Sequence, residues 1–126
     1  MNCFPDEIDV RMSDFKDGVR WFTLHHFFRC ITSKGLFIVP TGFKTDLASI
    51  PKAFHAILSP LGEYAPAAVF HDWAYSRQSN GYFPADRKAA DDIFLELMHN
   101  LGIPWCTRHT ISLAVRMFGG ISYKKK

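Results

Sequence analysis

Apolar and polar residues alternate with a period of two at Ile8–Met12, and this pattern, with the apolar and β-branched runs that follow, predicts β-strands in the first forty residues. Three segments show it or are rich in aromatic and β-branched side chains: Ile8–Met12, Arg20–Thr32 and Leu36–Val39. Asp17-Gly18 and Ser33–Gly35 are turn signals between them, and Pro40 ends the third. The sequence therefore predicts a small, three-stranded antiparallel sheet at the N-terminus.

After residue 41 the spacing of apolar residues changes to that of helices. Proline in a first turn, an N-cap aspartate at Asp86 and a closing Gly-Gly pair indicate where these helices begin and end. The predicted helices are Lys52–Leu58, Ala65 to about Ser79, Asp86 to about Asn100, and Trp105–Phe118. The fold class is α+β, a small N-terminal antiparallel β-sheet followed by a bundle of about four helices.

A chain of 126 residues fits a single domain. Its expected parts are a β-rich part at 1–40, a loop and short helix at 41–61, a helical part at 62–120 and a basic tail at 121–126. Ser59–Gly62 and Asn80–Pro84 carry the Gly and Pro residues that separate the helices. Apolar residues make up 48% and aromatic residues 15%, which argues for a packed core and against disorder.

The helical hairpin at 62–98 concentrates the residues with candidate chemistry. At 100° per residue, Tyr75 lies one turn after His71 on the same helix face, and Asp72 diverges from His71 by about 100°. On the next predicted helix Asp91 lies at the edge of the face that carries the apolar residues, whereas Asp92 points to solvent. Of these two carboxylates, only Asp91 is placed to turn toward His71.

These residue types suit a hydrolytic site. A neutral His71 would activate a water, while Asp72 would hold a cation that polarises the substrate oxygen. Asp91 and the Tyr75 hydroxyl would hold the other ring nitrogen of His71. Asp46 is a possible additional ligand in the loop between sheet and helices, or a solvated turn residue.

The alternative is that His71, Tyr75 and Asp91 only satisfy buried polar groups between two helices. A catalytic site requires Asp91 within about 2.6 to 3.2 Å of a His71 ring nitrogen. It also requires a partly open cavity shared by Asp72 and Asp46. A His71 packed under aromatic side chains with no opening favours the structural alternative.

Charge and cysteine content exclude several other functions. The formal net charge is +3, and three positive charges belong to Lys124–Lys126, so no basic face for nucleic acid is expected. The three cysteines are far apart, which predicts neither a disulfide framework nor a cysteine zinc site. His25 and His26 are consecutive in a predicted strand and would face opposite sides, so they would not share a metal.

The acidic residues near the N-terminus, Asp6, Glu7 and Asp9, do not fit a signal peptide. No apolar run approaches the roughly 18 residues that a membrane span needs. The protein is therefore expected to be synthesised in the cytoplasm and to have neither a signal peptide nor a transmembrane segment.

Several motifs in order carry a family resemblance. GFKTDLASIP at Gly42–Pro51, HDWAY at His71–Tyr75, an Ala-Asp helix and AVRMFG at Ala114–Gly119 resemble a family of small proteins of uncharacterised function found in tailed bacteriophages and prophages. The resemblance covers Leu36 to Gly119. It implies a viral origin, with synthesis in the host cytoplasm and incorporation in the virion as one outcome, and it says little about chemistry.

The hairpin alone is also similar to the catalytic helix pair of phospholipases A2, especially the compact form in some small-virus capsids. His71, Asp72 and Tyr75 match the H-D-x-x-Y motif, and Ala90, Asp91 and Phe94 match A-D-x-x-F. In that family the His activates water, the first Asp binds calcium, and the Tyr and second Asp support the His. This chain lacks the family's glycine-rich calcium loop and its usual disulfides, and Thr41–Ser49 is the only oxygen-rich loop upstream.

Two functions follow as hypotheses. The first is a phage-encoded hydrolase of ester bonds in host-envelope lipids, with His71, Tyr75 and Asp91 catalytic and with calcium at Asp72 and Asp46. The second is a non-catalytic structural or assembly component of the virion, as a tail or head accessory protein, whose partners are other virion proteins.

Overall fold

The structure is a computed structural model that describes residues 3–4, 10–16, 19–47, 49–56, 58, 64–79, 86–121 and 123–124. Its strands are β1 (Cys3–Phe4), β2 (Val10–Lys16), β3 (Val19–Leu24), β4 (Phe28–Thr32), β5 (Gly35–Val39) and β6 (Lys44–Thr45). Its α-helices are α1 (Ala65–Tyr75), α2 (Arg87–Asn100) and α3 (Trp105–Phe118). The α+β class is confirmed, with the strands preceding the helices.

The strands form two three-stranded antiparallel sheets, in the orders β1-β4-β5 and β2-β3-β6. The predicted single strand Arg20–Thr32 is wrong, because it is divided between the two sheets at residues 25–27. His25 and His26 lie exposed in a bend there and not in a strand. The break follows from pairing: Leu24 exchanges backbone hydrogen bonds with Gly42 and Phe43, while Phe28 pairs with Val39.

The sheet that contains β4 and β5 has one face in the core and one in solvent. In β4 the side chains of Phe28, Cys30 and Thr32 are buried and alternate with exposed ones. In β5 Phe37 and Val39 are buried. The outer face of this sheet carries the exposed apolar side chains of Ile31, Leu36 and Ile38, and Phe27, the residue before β4, is exposed as well.

The described residues contain three α-helices, and not the four expected. The predicted helix Lys52–Leu58 is only a 3₁₀ turn at Lys52–Phe54, because so short a segment makes too few hydrogen bonds to offset the cost of nucleating a helix. Helix α1 ends at Tyr75, before the predicted end near Ser79. The Ser76 hydroxyl donates to the Trp73 carbonyl at 2.7 Å, and this local bond competes with continuation of the helix.

Helices α2 and α3 agree with the sequence. The Asp86 side chain accepts a hydrogen bond from Ala89 N at 3.0 Å, so the predicted N-cap is confirmed. Helix α3 has the predicted bounds. The predicted Asp17-Gly18 turn, the Ser59–Gly62 break, the Asn80–Pro84 connection and the end of the lysine tail lie outside the described residues.

Helix α1 is the centre of the core, since all eleven of its residues are buried. Its Phe70 ring packs against Phe37 of β5 and against Trp73, with centroids 6.0 and 5.9 Å apart. Helix α1 also packs against α2 and β6. None of the helices in the described part of the chain combines the length and apolar character needed to cross a bilayer.

Candidate functional site

His71 lies at the centre of a buried polar network between α1, α2 and the loop after β6. Its Nε2 is 2.7 Å from Asp91 Oδ1, and its Nδ1 is 3.0 Å from the Ser49 hydroxyl. The imidazole ring stacks between the rings of Phe94 and Tyr75, at centroid distances of 4.3 and 4.2 Å. The side chain is 0% exposed, so protein groups surround His71 on every side.

Asp91 accepts hydrogen bonds from three side chains of the network. Besides His71, the Tyr75 hydroxyl donates to Oδ1 at 2.6 Å, and Arg116 Nη1 of α3 donates to Oδ2 at 2.8 Å. Burial by itself would raise the pKa of Asp91, but the hydrogen bonds from His71, Tyr75 and Arg116 outweigh it and lower the pKa below its usual 3.8. Asp91 is therefore a carboxylate that three donors share.

Tyr75 and Arg87 extend the network toward α3. Burial, followed by the hydrogen bond to Asp91, raises the pKa of Tyr75, so its hydroxyl keeps its proton and donates it. The same hydroxyl accepts a hydrogen bond from Arg87 Nε at 3.0 Å. Arg87 Nη2 also donates to the carbonyls of Val115 and Arg116, at 2.9 and 2.7 Å. Arg87 thus joins the start of α2 to the last turn of α3.

Asp72, adjacent to His71, points to the loop Thr45–Ile50. The Thr45 hydroxyl donates to Asp72 Oδ2, and the Ser49 backbone N–H donates to Oδ1 at 3.2 Å. Leu47 adopts a left-handed φ of 59°, and its N–H donates to Thr45 Oγ1 at 3.0 Å. This fold of the loop brings Thr45 and Ser49 to one carboxylate.

His55 supports the same loop from the other side. Its Nε2 lies 3.1 Å from the Leu47 carbonyl and 2.8 Å from the Ile50 carbonyl. Because both neighbours are acceptors, Nε2 carries the proton and donates to them. His55 therefore holds the loop through the carbonyls of Leu47 and Ile50.

The predicted site residues are brought together only in part. His71, Tyr75 and Asp91 form one cluster, and the distance from His71 Nε2 to Asp91 Oδ1 is within the range a site requires. Asp92 is exposed and pairs with Lys88 across one turn, as its helical phase predicted. The catalytic roles of His71, Tyr75 and Asp91 stay predictions.

The open cavity expected at Asp72 and Asp46 is absent at Asp72, whose side chain is 1% exposed. The loop covers the carboxylate because Thr45 and Ser49 both direct donors to it. Asp46 lies between Thr45 and Leu47 and is half-buried. A cavity at this place would require the loop to leave α1.

The groups around Asp72 determine whether calcium could bind there. Calcium takes six to eight oxygen ligands at about 2.3 to 2.6 Å. Around Asp72 the loop presents a hydroxyl and an N–H as donors, so the present loop conformation does not fit a cation there. Among the described residues, no three His, Cys, Asp or Glu side chains are grouped as metal ligands. Calcium at Asp72 and Asp46 stays a prediction that needs a different loop conformation.

Sequence reasoning missed four polar members of the network: Thr45, Ser49, Arg87 and Arg116. Loop hydroxyls are common and carry little signal by themselves. A usable signal was the pairing of two hydroxyl residues four positions apart with the adjacent acceptors His71 and Asp72. Arg116 lies within AVRMFG, the closing motif of the resemblance, where its charge in an otherwise apolar run was the available indication.

The proton positions in the network follow from its acceptors. Since the Asp91 carboxylate only accepts, His71 Nε2 carries a proton toward it, and in the neutral form of the ring Nδ1 accepts a hydrogen bond from the Ser49 hydroxyl. Ser49, His71 and Asp91 thus form a continuous donor chain. Chemically such a chain can hold a histidine base in one tautomer, or it can satisfy buried polar groups.

A profile of a protein family matches residues 22–115, which is most of the chain. The family is described as a protein of unknown function, DUF1353. The matched range contains both the loop with Thr45 and Ser49 and the helices with His71 and Asp91. No curated protein sequence and no solved structure shows a significant match to this chain. The chain belongs to the DUF1353 family of proteins of unknown function.

Proposed function

We propose that this protein acts by binding other proteins, as a structural or assembly component of a tailed-phage virion, and that the His71 network holds its fold together. The observation that carries the proposal is the closure of the network. His71, Asp72 and Asp91 are at most 2% exposed, and both ring nitrogens of His71 have protein partners. A general base needs a water or substrate proton at one of those nitrogens.

The outer face of the β4–β5 sheet supports a binding role. Ile31, Leu36 and Ile38 are between 46% and 56% exposed on this sheet, and Phe27, just before β4, is 49% exposed. Ile31 and Leu36 are cross-strand partners, so their side chains form one continuous patch. Exposed apolar patches of this kind mark protein contacts. The phage origin rests on the GFKTDLASIP and HDWAY motifs.

The test of this proposal is the composition of purified particles. Mass spectrometry of virions from a phage that encodes the chain should find a fixed copy number per particle. Leu36→Glu with Ile38→Glu, which changes only exposed side chains of β5, should reduce incorporation while the isolated protein stays folded. Lys34→Glu, an exposed change in the adjacent turn, is the matched control. Infectious particles that lack the chain would refute the proposal.

A second candidate, the ester hydrolase, is favoured by the geometry of His71, Asp91 and Tyr75. Distances of 2.7 and 2.6 Å join Asp91 to the other two, as the resemblance to phospholipases A2 implies. In this candidate the Ser49 hydroxyl leaves Nδ1, a water takes its place, and His71 removes a proton from that water. The water oxygen attacks the ester carbonyl carbon, the C–O bond to the alcohol breaks, and His71 returns the proton to the alcohol oxygen.

Fatty-acid release from phospholipid vesicles tests this candidate, with calcium and with a chelator. Ser49→Ala frees Nδ1 and should increase the rate, whereas His71→Ala should abolish it. Equal, background-level release from the wild type, Ser49→Ala and His71→Ala would eliminate the hydrolase. Release that needs calcium would also show that the loop can adopt a conformation in which Asp72 is open to a cation.

A further inference from the structure

The pairing of β1 with β4 brings together two cysteines that are far apart in the sequence. Cys3 belongs to β1, Cys30 belongs to β4, and the two residues are direct Cα partners in the antiparallel register. The next pair in the same register is Phe4 with Arg29. Spacing along the chain predicted no disulfide, but the fold opposes two of the three cysteines across one pair of strands.

Directly opposed residues of antiparallel strands are close enough for a disulfide. Their Cα atoms lie about 4.5 or 5.5 Å apart, depending on whether the pair exchanges backbone hydrogen bonds. A disulfide needs Cα atoms about 4.4 to 6.8 Å apart, so both kinds of pair are within range. The Cβ atoms of opposed residues are about 4.5 to 5.5 Å apart, against about 3.5 to 4.5 Å in a disulfide. A shift of about 1 Å by one strand therefore closes the bond.

β1 is the strand that can make this shift. It contains two residues, and in the described part of the chain two residue pairs join it to β4. β4 is held more firmly, because each of its five residues is also paired with β5. Its Phe28 and Cys30 side chains are 0% exposed in the core. Cys30 thus has a fixed position, and β1 can adjust to it.

The cysteines of β4 and α3 differ in their access to solvent. Cys30 and Cys106 are both thiols in this structure, but Cys30 is buried whereas Cys106 is exposed on α3. A thiol reacts with a dissolved oxidant only where the oxidant can reach it. Oxidation of Cys30 therefore has to pass through a neighbouring sulfur, and the strand register makes Cys3 that neighbour.

We infer that Cys3 and Cys30 form a reversible disulfide that fixes β1 to β4 under oxidising conditions. With oxidised glutathione as the oxidant, the Cys3 thiolate attacks one of its sulfurs, forms a mixed disulfide and releases one glutathione thiolate. The Cys30 thiolate then attacks the Cys3 sulfur, which forms the protein disulfide and releases the second glutathione thiolate. The two protons of the cysteine thiols end on the two glutathione molecules. The inference depends on neither proposed function.

The disulfide would control one edge of a sheet. β4 lies between β1 and β5, so departure of β1 would leave β4 with unpaired backbone N–H and C=O groups that another strand can bind. A two-residue strand has few hydrogen bonds to prevent this departure, and a covalent bond prevents it fully. Glutathione keeps thiols reduced inside most cells, whereas extracellular conditions oxidise them. The edge of β4 would therefore be held closed outside the cell.

Thiol counting on the full chain tests the bond. The protein is equilibrated in glutathione buffers with an increasing oxidised fraction, alkylated and weighed by mass spectrometry. The wild type should change from three alkylated thiols to one, with Cys3 and Cys30 in one linked peptide. Cys106→Ala is the matched control and should still lose two thiols. Cys3→Ala and Cys30→Ala should form no internal bond, and Cys3→Ala keeps the core residue Cys30 in place should Cys30→Ala fail to fold.

Two further measurements test what the bond does to the structure. The oxidised wild type should have a thermal unfolding midpoint higher by on the order of 10 °C than the reduced protein, because the bond closes a loop of about 27 residues in the unfolded chain. The amide protons of β4 should also exchange more slowly after oxidation, since β1 no longer leaves. Cys3→Ala under the same two conditions should show neither change.

Four results would overturn the inference. They are three free thiols at the most oxidising ratio, a glutathione adduct without the protein disulfide, a bond through Cys106 in place of the one between Cys3 and Cys30, and a Cys3–Cys30 bond that leaves the unfolding midpoint and β4 exchange unchanged. Thiol counting reports neither virion incorporation nor fatty-acid release. Failure of either proposed function is therefore distinguishable from failure of this inference.

Discussion

Asp91 is the residue on which the largest number of interactions in the site converge. One carboxylate accepts from an imidazole, a phenol and a guanidinium, each from a different turn or helix. A buried carboxylate is costly to desolvate unless such donors surround it. The neighbouring Asp92 has the same side chain but is almost half exposed. Comparing substitutions at the two positions therefore separates the stabilisation that comes from the network from the effect of removing a negative charge.

Asp91→Asn should reduce the free energy of unfolding by about 3 to 5 kcal/mol, because it removes the charge that compensates Arg116 and places an amide among donors. Asp92→Asn should change the free energy by no more than about 0.5 kcal/mol, since its pair with Lys88 is exposed. Urea unfolding followed by circular dichroism measures both. A similar change in the free energy of unfolding for the two variants would show that Asp91 does not stabilise the fold through the network.

The lowered pKa of Asp91 predicts how stability depends on pH. Because the folded protein binds the Asp91 proton less readily than the unfolded chain does, the stabilisation is present above the usual pKa of 3.8. This stabilisation is lost as the pH falls below about 4 and then through the lower pKa that Asp91 has in the folded protein. The free energy of unfolding then changes by at most about 1.4 kcal/mol per pH unit because of this group. Urea midpoints between pH 2.5 and 6 should fall more steeply for the wild type than for Asp91→Asn. Parallel curves would contradict the assignment.

Among the elements, the loop after β6 and helix α1 are joined by matched side chains. Thr45 and Ser49 of the loop bind Asp72 and His71, which are consecutive in α1. The two motifs that looked separate in the sequence are thus one hydrogen-bonded unit in the fold. This unit also covers the face of His71 that a substrate would approach.

Thr45→Val should lower the free energy of unfolding by about 1 to 3 kcal/mol, because a methyl group replaces the hydroxyl and leaves Asp72 with one donor fewer. The amide proton of Leu47, which donates to Thr45 Oγ1, should also exchange faster with solvent. Thr110→Val is the matched control, since the Thr110 hydroxyl donates to the Cys106 carbonyl on the exposed side of α3. Unchanged exchange at Leu47 would show that the loop is held by other contacts.

The elements that the sequence predicted best are those with strong local signals. Asp86 capped α2, and the bounds of α3 agreed with a Pro before and Gly-Gly after the helix. The errors arose where pairing between distant parts of the chain determines where an element ends. Nothing local marks the break of Arg20–Thr32 at His25, because the break depends on Leu24 pairing with Gly42 and Phe43.

The candidate site shows the same division between local and tertiary information. Helical phase placed His71, Tyr75 and Asp91 together and turned Asp92 outward. It carried no information on what covers the site, since closure depends on a loop from a distant part of the chain. The arginines also come from tertiary packing, because Arg116 reaches Asp91 only when α3 lies against α2.

Over the whole molecule, the network links parts of the chain that are far apart in sequence. Ser49 and His71 are 22 positions apart, His71 and Asp91 are 20 apart, and Asp91 and Arg116 are 25 apart. Each bond can form only when the loop and two helices have reached their final places. We therefore expect the network to favour cooperative unfolding of the loop, α1, α2 and α3.

The two proposed functions differ in what His71→Ala does to activity. A network that serves the fold should lose about 3 kcal/mol or more of unfolding free energy when the imidazole is removed, because Asp91 and Ser49 then lose a buried partner. A network that also serves catalysis would lose the same buried partner, but His71→Ala would in addition abolish fatty-acid release, because the base is gone. His99→Ala, an exposed histidine of α2, is the matched control. Chemical unfolding of the three proteins, together with their fatty-acid release, decides between the functions: a large stability loss with no activity in any of them supports assembly. Fatty-acid release that His99→Ala keeps and His71→Ala abolishes supports the hydrolase.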